Sequence, residues 1–345
     1  MLERDVKVQY SFRLGPVINS ARILAVLLAG MALAGCSPAG PPAADAPREF
    51  SLGYLAGAQD FIIFVMDSER ILERHRLEPR RVKFLNPPSV QLMIAESQVD
   101  IGFGGFTTMA NARALGKDVI IVRGIFSPVN AVFVPWDSPV QTISDLRGKR
   151  MGSFGGPGST TLAFFGVIAS EWHGLDVFGE VEQITAPGPA LDNLLARGEI
   201  DAALMGTMES IQFAAQNKYR VLVNLSEEYQ ARQGRAPAHV MVSTSEQFAR
   251  EHPDIITDFL RAYEEALQFS KENPEVWAQY GRTIGMTSDA EVALLREKMS
   301  ANLIEHWDAE QLATQQEYLQ FVQRVLGERV FSSIPEGLLR DDFNP

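Results

Sequence analysis

The sequence predicts an α/β chain folded as two lobes of similar build. From Phe50 onward, short apolar runs alternate with helical patterns, as expected for helices layered on sheets. Residues 93–102 recur in form as residues 194–203, each a helix end that turns through a polar residue into a strand opening on an aspartate. The two aspartates, Asp100 and Asp201, stand 101 residues apart, which points to a pair of lobes and not to a short-period solenoid. A chain of 345 residues is long enough for two such cores.

The N-terminus reads as an export signal over residues 1–35. Arg4, Lys7, Arg13 and Arg22 precede an apolar run over residues 23–33, which is too short for a transmembrane helix of about 20 residues. Leu33-Ala34-Gly35-Cys36 resembles the lipobox of bacterial lipoproteins, which makes Cys36 the expected lipidation site. It is the single cysteine, so no intramolecular disulfide is expected. Residues 36–48, rich in Pro, Ala and Gly, read as a tether, with order beginning near Phe50.

Strands are expected at residues 50–54, 81–85, 99–103, 119–125 and 131–135, with helices at 61–75, 89–97 and 107–115 between them. Residues 219–225 and 239–243 read as further strands, joined by a polar connection over 227–236. The remainder is mostly helical. Ile255, Ile256, Phe259, Leu260, Tyr263 and Leu267 share one helix face, Ser288 and Glu291 form a capping box, and a last helix stops at Gly327. The tail over 328–345 is expected to lie irregularly on the surface.

The stretch around which the chemistry gathers is residues 150–165, RMGSFGGPGSTTLAFF. It reads as a strand end, a glycine-rich turn over 153–158 and a helix opening at Ser159 or Thr160. A helix start offers unpaired N–H groups and partial positive charge, which suits a sulfonate, carboxylate, nitrate or phosphate. An ordinary strand-to-helix turn has the same pattern, so the turn needs support from elsewhere. It is no nucleotide loop, because GxxxxGK[ST] and GxGxxG do not fit.

Charge and residue types narrow the function. The net charge of −12, or −14 once residues 1–35 are removed, argues against nucleic acid as a partner. The five histidines are scattered without metal-ligand spacing, so neither a metal nor a cofactor is expected. No GxSxG nucleophile elbow occurs.

Four motifs occur in order: Val99-Asp100-Ile101-Gly102-Phe103-Gly104-Gly105; Asn130-Ala131-Val132-Phe133-Val134-Pro135 with Asp137-Ser138-Pro139; Ser144-Asp145-Leu146-Arg147-Gly148-Lys149; and Gly158-Ser159-Thr160. In these the chain resembles the periplasmic substrate-binding proteins of ABC importers for nitrate, sulfonates, taurine and thiamin-pyrimidine precursors. The resemblance implies a two-lobed periplasmic binding protein of type II, its lobes joined by two crossings with the ligand cleft between them. Lobe 1 would hold residues 49–135 and 238–345, and lobe 2 residues 136–237.

On that mapping Gly57, Ala58, Gln59, Gly105, Phe106 and Thr107 form one wall of the cleft. Gly158, Ser159, Thr160, Met205, Gly206 and Thr207 form the other. The implied role is non-catalytic: capture of a small anion of sulfonate, taurine, nitrate or carboxylate type outside the inner membrane. A lipid-anchored monomer would deliver it to an ABC permease with its ATPase. Sulfonate binders of this family often carry aromatic residues after the second aspartate, where this chain reads Ala202-Ala203-Leu204-Met205-Gly206-Thr207. A neutral or aromatic ring therefore remains open, with Phe106, Phe154 and Trp136 as candidates to stack on it and Arg123 as a possible visitor to the cleft. A tethered ligand sensor is the same module in another role. Enzymes of related fold that make the thiamin pyrimidine carry a cysteine-rich iron motif, which this chain lacks.

Overall fold

The computed structural model describes residues 46–345 except Ala56, Ala58 and Gln59; the expected signal region, Cys36 and most of the tether lie outside the described residues. Residues Pro47–Pro345 form one compact unit. Its first strand begins at Arg48, earlier than the sequence suggested. The Arg48 guanidinium accounts for this, since it pairs with Asp254 at 2.8 Å and Asp258 at 2.6 Å and so pins the end of the tether.

The chain lays down β1 (Arg48–Leu55), α1 (Phe61–Ser68), α2 (Ile71–Arg74), β2 (Leu77–Phe84), α3 (Pro87–Ala95), β3 (Ile101–Gly105), α4 (Phe106–Ala114) and β4 (Ile120–Phe126). It then crosses to build β5 (Ala131–Val134), β6 (Arg150–Ser153), α5 (Thr160–His173), β7 (Glu182–Thr185), α6 (Gly188–Ala196), β8 (Ala202–Leu204), α7 (Thr207–Ala215), β9 (Arg220–Asn224) and α8 (Leu225–Gln233). It returns through β10 (Val240–Thr244) and finishes with α9 (Glu246–Glu251), α10 (Pro253–Glu272), α11 (Glu275–Thr283), α12 (Asp289–Asn302) and α13 (Ala309–Leu326).

The two sheets share one topology. Their strand orders are β2-β1-β3-β10-β4 and β7-β6-β8-β5-β9. In each, the strand laid down directly after a crossing inserts antiparallel between two others, β10 between β3 and β4, and β5 between β8 and β9. The repeat seen in the sequence is structural: α3 and α6, like α4 and α7, have identical lengths at an offset of 101 residues. Asp100 and Asp201 hold equivalent positions. Asp100 accepts from the Ser51 amide at 2.6 Å, and Asp201 from the Arg150 amide at 2.9 Å, so each ties the entry of its sheet's middle strand, β3 or β8, to the neighbouring strand, β1 or β6.

Several expectations are corrected. The strand at Ala131–Val134, assigned to lobe 1, belongs to the second sheet, because apolar alternation marks a strand but not its partner. The first crossing therefore lies at residues 127–130. The helix expected over 61–75 breaks where Arg70 adopts φ 53°, a left-handed conformation. The polar connection over 227–236 is largely helix α8, capped by the Asn224 side chain, which accepts from the Glu227 amide at 3.3 Å.

The C-terminal region does not stay with lobe 1. Helix α13 packs on α5, with Tyr318 5.5 Å from Phe164 and Phe321 5.9 Å from Trp172 between ring centroids. The tail beyond it joins the edge of β4, where Ile121 donates to Leu338 at 2.7 Å and accepts from Arg340 at 2.9 Å. The two crossings are bonded to one another: the His239 amide donates to Phe126 O at 2.8 Å, and Ser127 Oγ to Ala236 O at 3.3 Å. Gln315 of α13 clasps both backbone groups of Ala238, at 3.0 and 2.9 Å. Among the described residues no helix is long and apolar enough to cross a membrane.

Candidate functional site

A cavity of about 420 Å³ lies where the lobes meet, lined by the exits of β1 and β3 on one side and of β6 and β8 on the other. Ligands of open α/β sheets bind outside the carboxyl ends of strands, and this volume is within the range of small-molecule sites. The second-lobe wall is set by the glycine turn. Gly155 and Gly156 adopt φ of +88° and +71°, values other residues reach only with strain, and the chain then reverses into α5. Ser159 caps that helix, its Oγ accepting from the Leu162 amide at 3.2 Å. No hydrogen bond among the described residues takes the amides of Thr160 and Thr161, and both residues line the cavity.

The lobes touch beside the cavity through hydroxyl groups. Thr160 Oγ1 of α5 meets Thr107 Oγ1 at 3.1 Å and Thr108 Oγ1 at 3.2 Å, both on α4, and Thr108 Oγ1 donates to Gly158 O at 3.3 Å. Gly105 makes this approach possible. A Cβ there would stand 2.2 Å from Thr160 Oγ1 and 2.9 Å from Gln91 Nε2.

The charged groups of the wall are not equivalent. Lys83 is paired with Asp60 at 3.1 Å, and Asp60 also accepts from the Gly57 amide at 3.2 Å and from the Tyr280 hydroxyl at 2.5 Å. Glu209, in the first turn of α7, joins no ion pair among the described residues, and burial raises its carboxyl above the ordinary value. His239 sits on the second crossing, its Nε2 3.0 Å from Thr161 Oγ1. Burial lowers its pKa to about 4, so the ring is neutral at pH 7, and its Nδ1 has no partner. Asn130, on the first crossing, donates through Nδ2 to Met205 O at 2.9 Å, while its buried Oδ1 is unpaired.

Of the residues expected from sequence, Gly57, Gly105, Ser159, Thr160, Gly206 and Thr207 line the cavity. Four do not. Phe106 is fully buried against Tyr318 at 5.8 Å, because it opens α4 with its ring turned into the core. Met205 lies in the second-lobe core, Thr107 is consumed by the contact between lobes, and Gly158 reaches the cavity only through its neighbours. Ala58 and Gln59 lie outside the described residues. Phe154 does line the cavity, whereas Trp136 is exposed and bonds to Asn217 O at 3.2 Å. Arg123 is fully buried, donating to Glu264 at 2.9 Å and Glu305 O at 2.9 Å, and does not reach the cleft.

Sequence reasoning missed Gln91, Asn130, Thr161, Glu209 and His239. The echo held a usable signal for one of them. Shifting the α4 threonine, Thr108, by 101 residues lands on Glu209 at the matching helix start.

The NMT1/THI5-like family matches residues 81–276, which span β2 through the start of α11 and include most of the cavity wall. The chain belongs to the NMT1/THI5-like family. No curated protein matches it in sequence. Among solved structures, this family member is similar to the alkanesulfonate-binding protein SsuA of Xanthomonas axonopodis pv. citri bound to MOPS, with TM-score 0.69 and 18% identity over 86% of this chain and 99% of that one. The periplasmic aliphatic sulphonate-binding protein SsuA of Escherichia coli gives TM-score 0.66 and 19% identity, covering 84% and 91%. The desulfurization enzyme DszB gives 0.56 and 15%, covering 84% and 97%. At these identities the likeness establishes the fold: the NMT1/THI5-like chain has the two-lobed architecture of periplasmic binding proteins, with a cleft between lobes joined by two crossings.

Proposed function

We propose that the protein is the solute-binding component of an ABC importer, capturing a small solute with an anionic or strongly polar end and delivering it to a permease with its ATPase. The observation that carries this is the cavity of about 420 Å³ beneath the Gly105–Thr160 contact, into which α5 turns its uncommitted first amides. A negative group there gains from the helix dipole and from hydroxyls at Ser159, Thr160 and Thr161. The likeness to sulfonate-binding proteins supports a sulfonate, taurine-like or carboxylate group at this point. The lobes open and close on ligand about the two crossings that join them.

The proposed setting is the envelope exterior, with the chain held as a monomer by lipid at Cys36 after removal of residues 1–35. The reading is non-catalytic. The test is calorimetric titration of the chain with sulfonates, carboxylates and nitrate, repeated on Ser159→Ala/Thr160→Ala. Loss of at least about tenfold in affinity is expected, from two hydrogen bonds to a charged group. Unchanged affinity in the double variant would reject the α5 site.

A further inference from the structure

We infer that the solute also carries a nitrogen with hydrogens to donate, held by Glu209 on the α7 side of the cavity, so that the ligand is dipolar and not a simple anion. This rests on the solute-binding reading above and narrows its ligand class.

The cavity wall holds a carboxylate in the wrong place for an anion receptor. Glu209 lines the cavity, partly buried, with no cation paired to it among the described residues. Its position is built and not incidental. The side chain folds back over two glycines, where a Cβ on Gly188 would stand 2.1 Å from Oε1 and one on Gly206 2.7 Å from Oε2. Any other residue at Gly188 would displace the carboxylate from this niche.

The one lysine of the wall is already committed to Asp60. Even a partly buried carboxylate gains from a counter-charge, and a ligand that brings one supplies it where the wall does not. The Phe154 ring lies beside the same niche, 3.3 Å from the Gly206 Cβ position, and also lines the cavity. An acid next to an aromatic face is a receptor for an ammonium or amino-substituted ring.

The neighbouring polar atoms agree in sign. Asn130 is oriented by its bond to Met205 O, which leaves Oδ1 an acceptor without a donor behind the cavity surface, adding to the negative character of this wall. The wall near α7 therefore asks for N–H groups, while the start of α5 asks for acceptors. The two ends of the cavity select opposite ends of one molecule. Suitable ligands are aminoalkyl sulfonates or carboxylates and cyclic amines bearing an acid.

Three matched probes test this on the full chain in mild detergent by calorimetry: 3-(cyclohexylamino)propanesulfonate, 4-cyclohexylbutanesulfonate, in which CH2 replaces NH, and N-propylcyclohexylamine. The expected result is that the aminosulfonate binds at least about tenfold more tightly than either partner, and that Glu209→Gln removes its advantage over the carbon analogue. Gly188→Ala, which leaves the charge in place but crowds the niche, should reduce the same advantage. The carbon analogue binding the unsubstituted chain as tightly as the aminosulfonate, or the aminosulfonate keeping its advantage in Glu209→Gln, overturns the dipolar ligand and leaves the anion-binding reading standing. Binding of none of the three rejects both. An unliganded melting temperature for each variant separates loss of recognition from loss of fold.

Discussion

Helix α1 of the first lobe and helix α5 of the second occupy the same place, each following the strand next to the middle one of its sheet, β1 or β6, yet their starts carry different chemistry. At α1 the position before the helix is Asp60, tied to Lys83, Tyr280 and the Gly57 amide. At α5 it is Ser159, which takes one amide and leaves two. The second pair differs again. Helix α4 begins with threonines that reach across to the other lobe, while its counterpart α7 carries Glu209 in its first turn. One fold repeated twice thus yields one helix start whose leading aspartate is tied into an ion pair, one spent on joining the lobes, one carrying an acid and one with two uncommitted amides. The backbone plan is shared, and the ligand polarity is decided by a handful of side chains at equivalent positions.

The largest effect is expected at the paired glycines that precede α4 and α7, Gly105 and Gly206. Gly105→Ala meets a side chain of the opposite lobe, so it should prevent closure and weaken ligand binding by about 100-fold, or about 2.7 kcal/mol, with little change in unliganded melting temperature. Gly206→Ala meets only Glu209 and Phe154 of its own lobe, so its effect on affinity should be smaller. Titration of both variants with the same ligand checks the order.

Next come the paired aspartates. Asp100 accepts from both the amide and the hydroxyl of Ser51, at 2.6 and 2.7 Å. Asp100→Ala should cost about 2 kcal/mol in denaturant unfolding by leaving the Ser51 amide unpaired. Asp201 also binds the Arg150 guanidinium, at 3.1 Å, but that pair is about one-third exposed, so Asp201→Ala should cost about 1 kcal/mol. Equal costs would show that the two lobes are pinned alike.

Removal of the α5 cap, Ser159→Ala, should cost about 1 kcal/mol of stability in the absence of ligand. The smallest effect concerns the hinge. The folded His239 pKa of about 4 lies below that of an unfolded histidine, about 6.5, so the unfolded chain takes up the proton first. Stability from this residue is complete above about pH 6.5 and falls as pH drops toward 4, with somewhat under 1 kcal/mol lost by pH 6. His239→Gln should flatten that part of the pH profile, as read from denaturant midpoints.

Much of the fold was legible because its signals are local and repeated. The 101-residue echo located matching helices and strand entries, and apolar alternation located most strands. What stayed hidden depends on partners distant in sequence. Ala131–Val134 reads as a strand wherever it pairs, and only its bonds to β8 and β9 place it in the second sheet. Helix α13 shows an apolar stripe that does not reveal the other lobe as its target. The same limit shaped the site. The glycine turn and Ser159 were visible as a local pattern, whereas Glu209 and His239 matter because the fold brings an acid in α7 and a crossing residue to one cavity. Phe106 illustrates the converse, a residue adjacent in sequence to the cleft whose ring turns away from it.

The most direct measurement is a thermal-shift comparison of the unsubstituted chain with Gly105→Ala across sulfonates, aminosulfonates, carboxylates, nitrate and aminopyrimidines. A true ligand at about 100 times its Kd should stabilise the unsubstituted chain by about 2.7 kcal/mol, a rise of several degrees, and Gly105→Ala should cut this to about 0.4 kcal/mol, a rise of a degree or so. An equal rise in both proteins would place binding outside the cavity between the lobes and contradict the account.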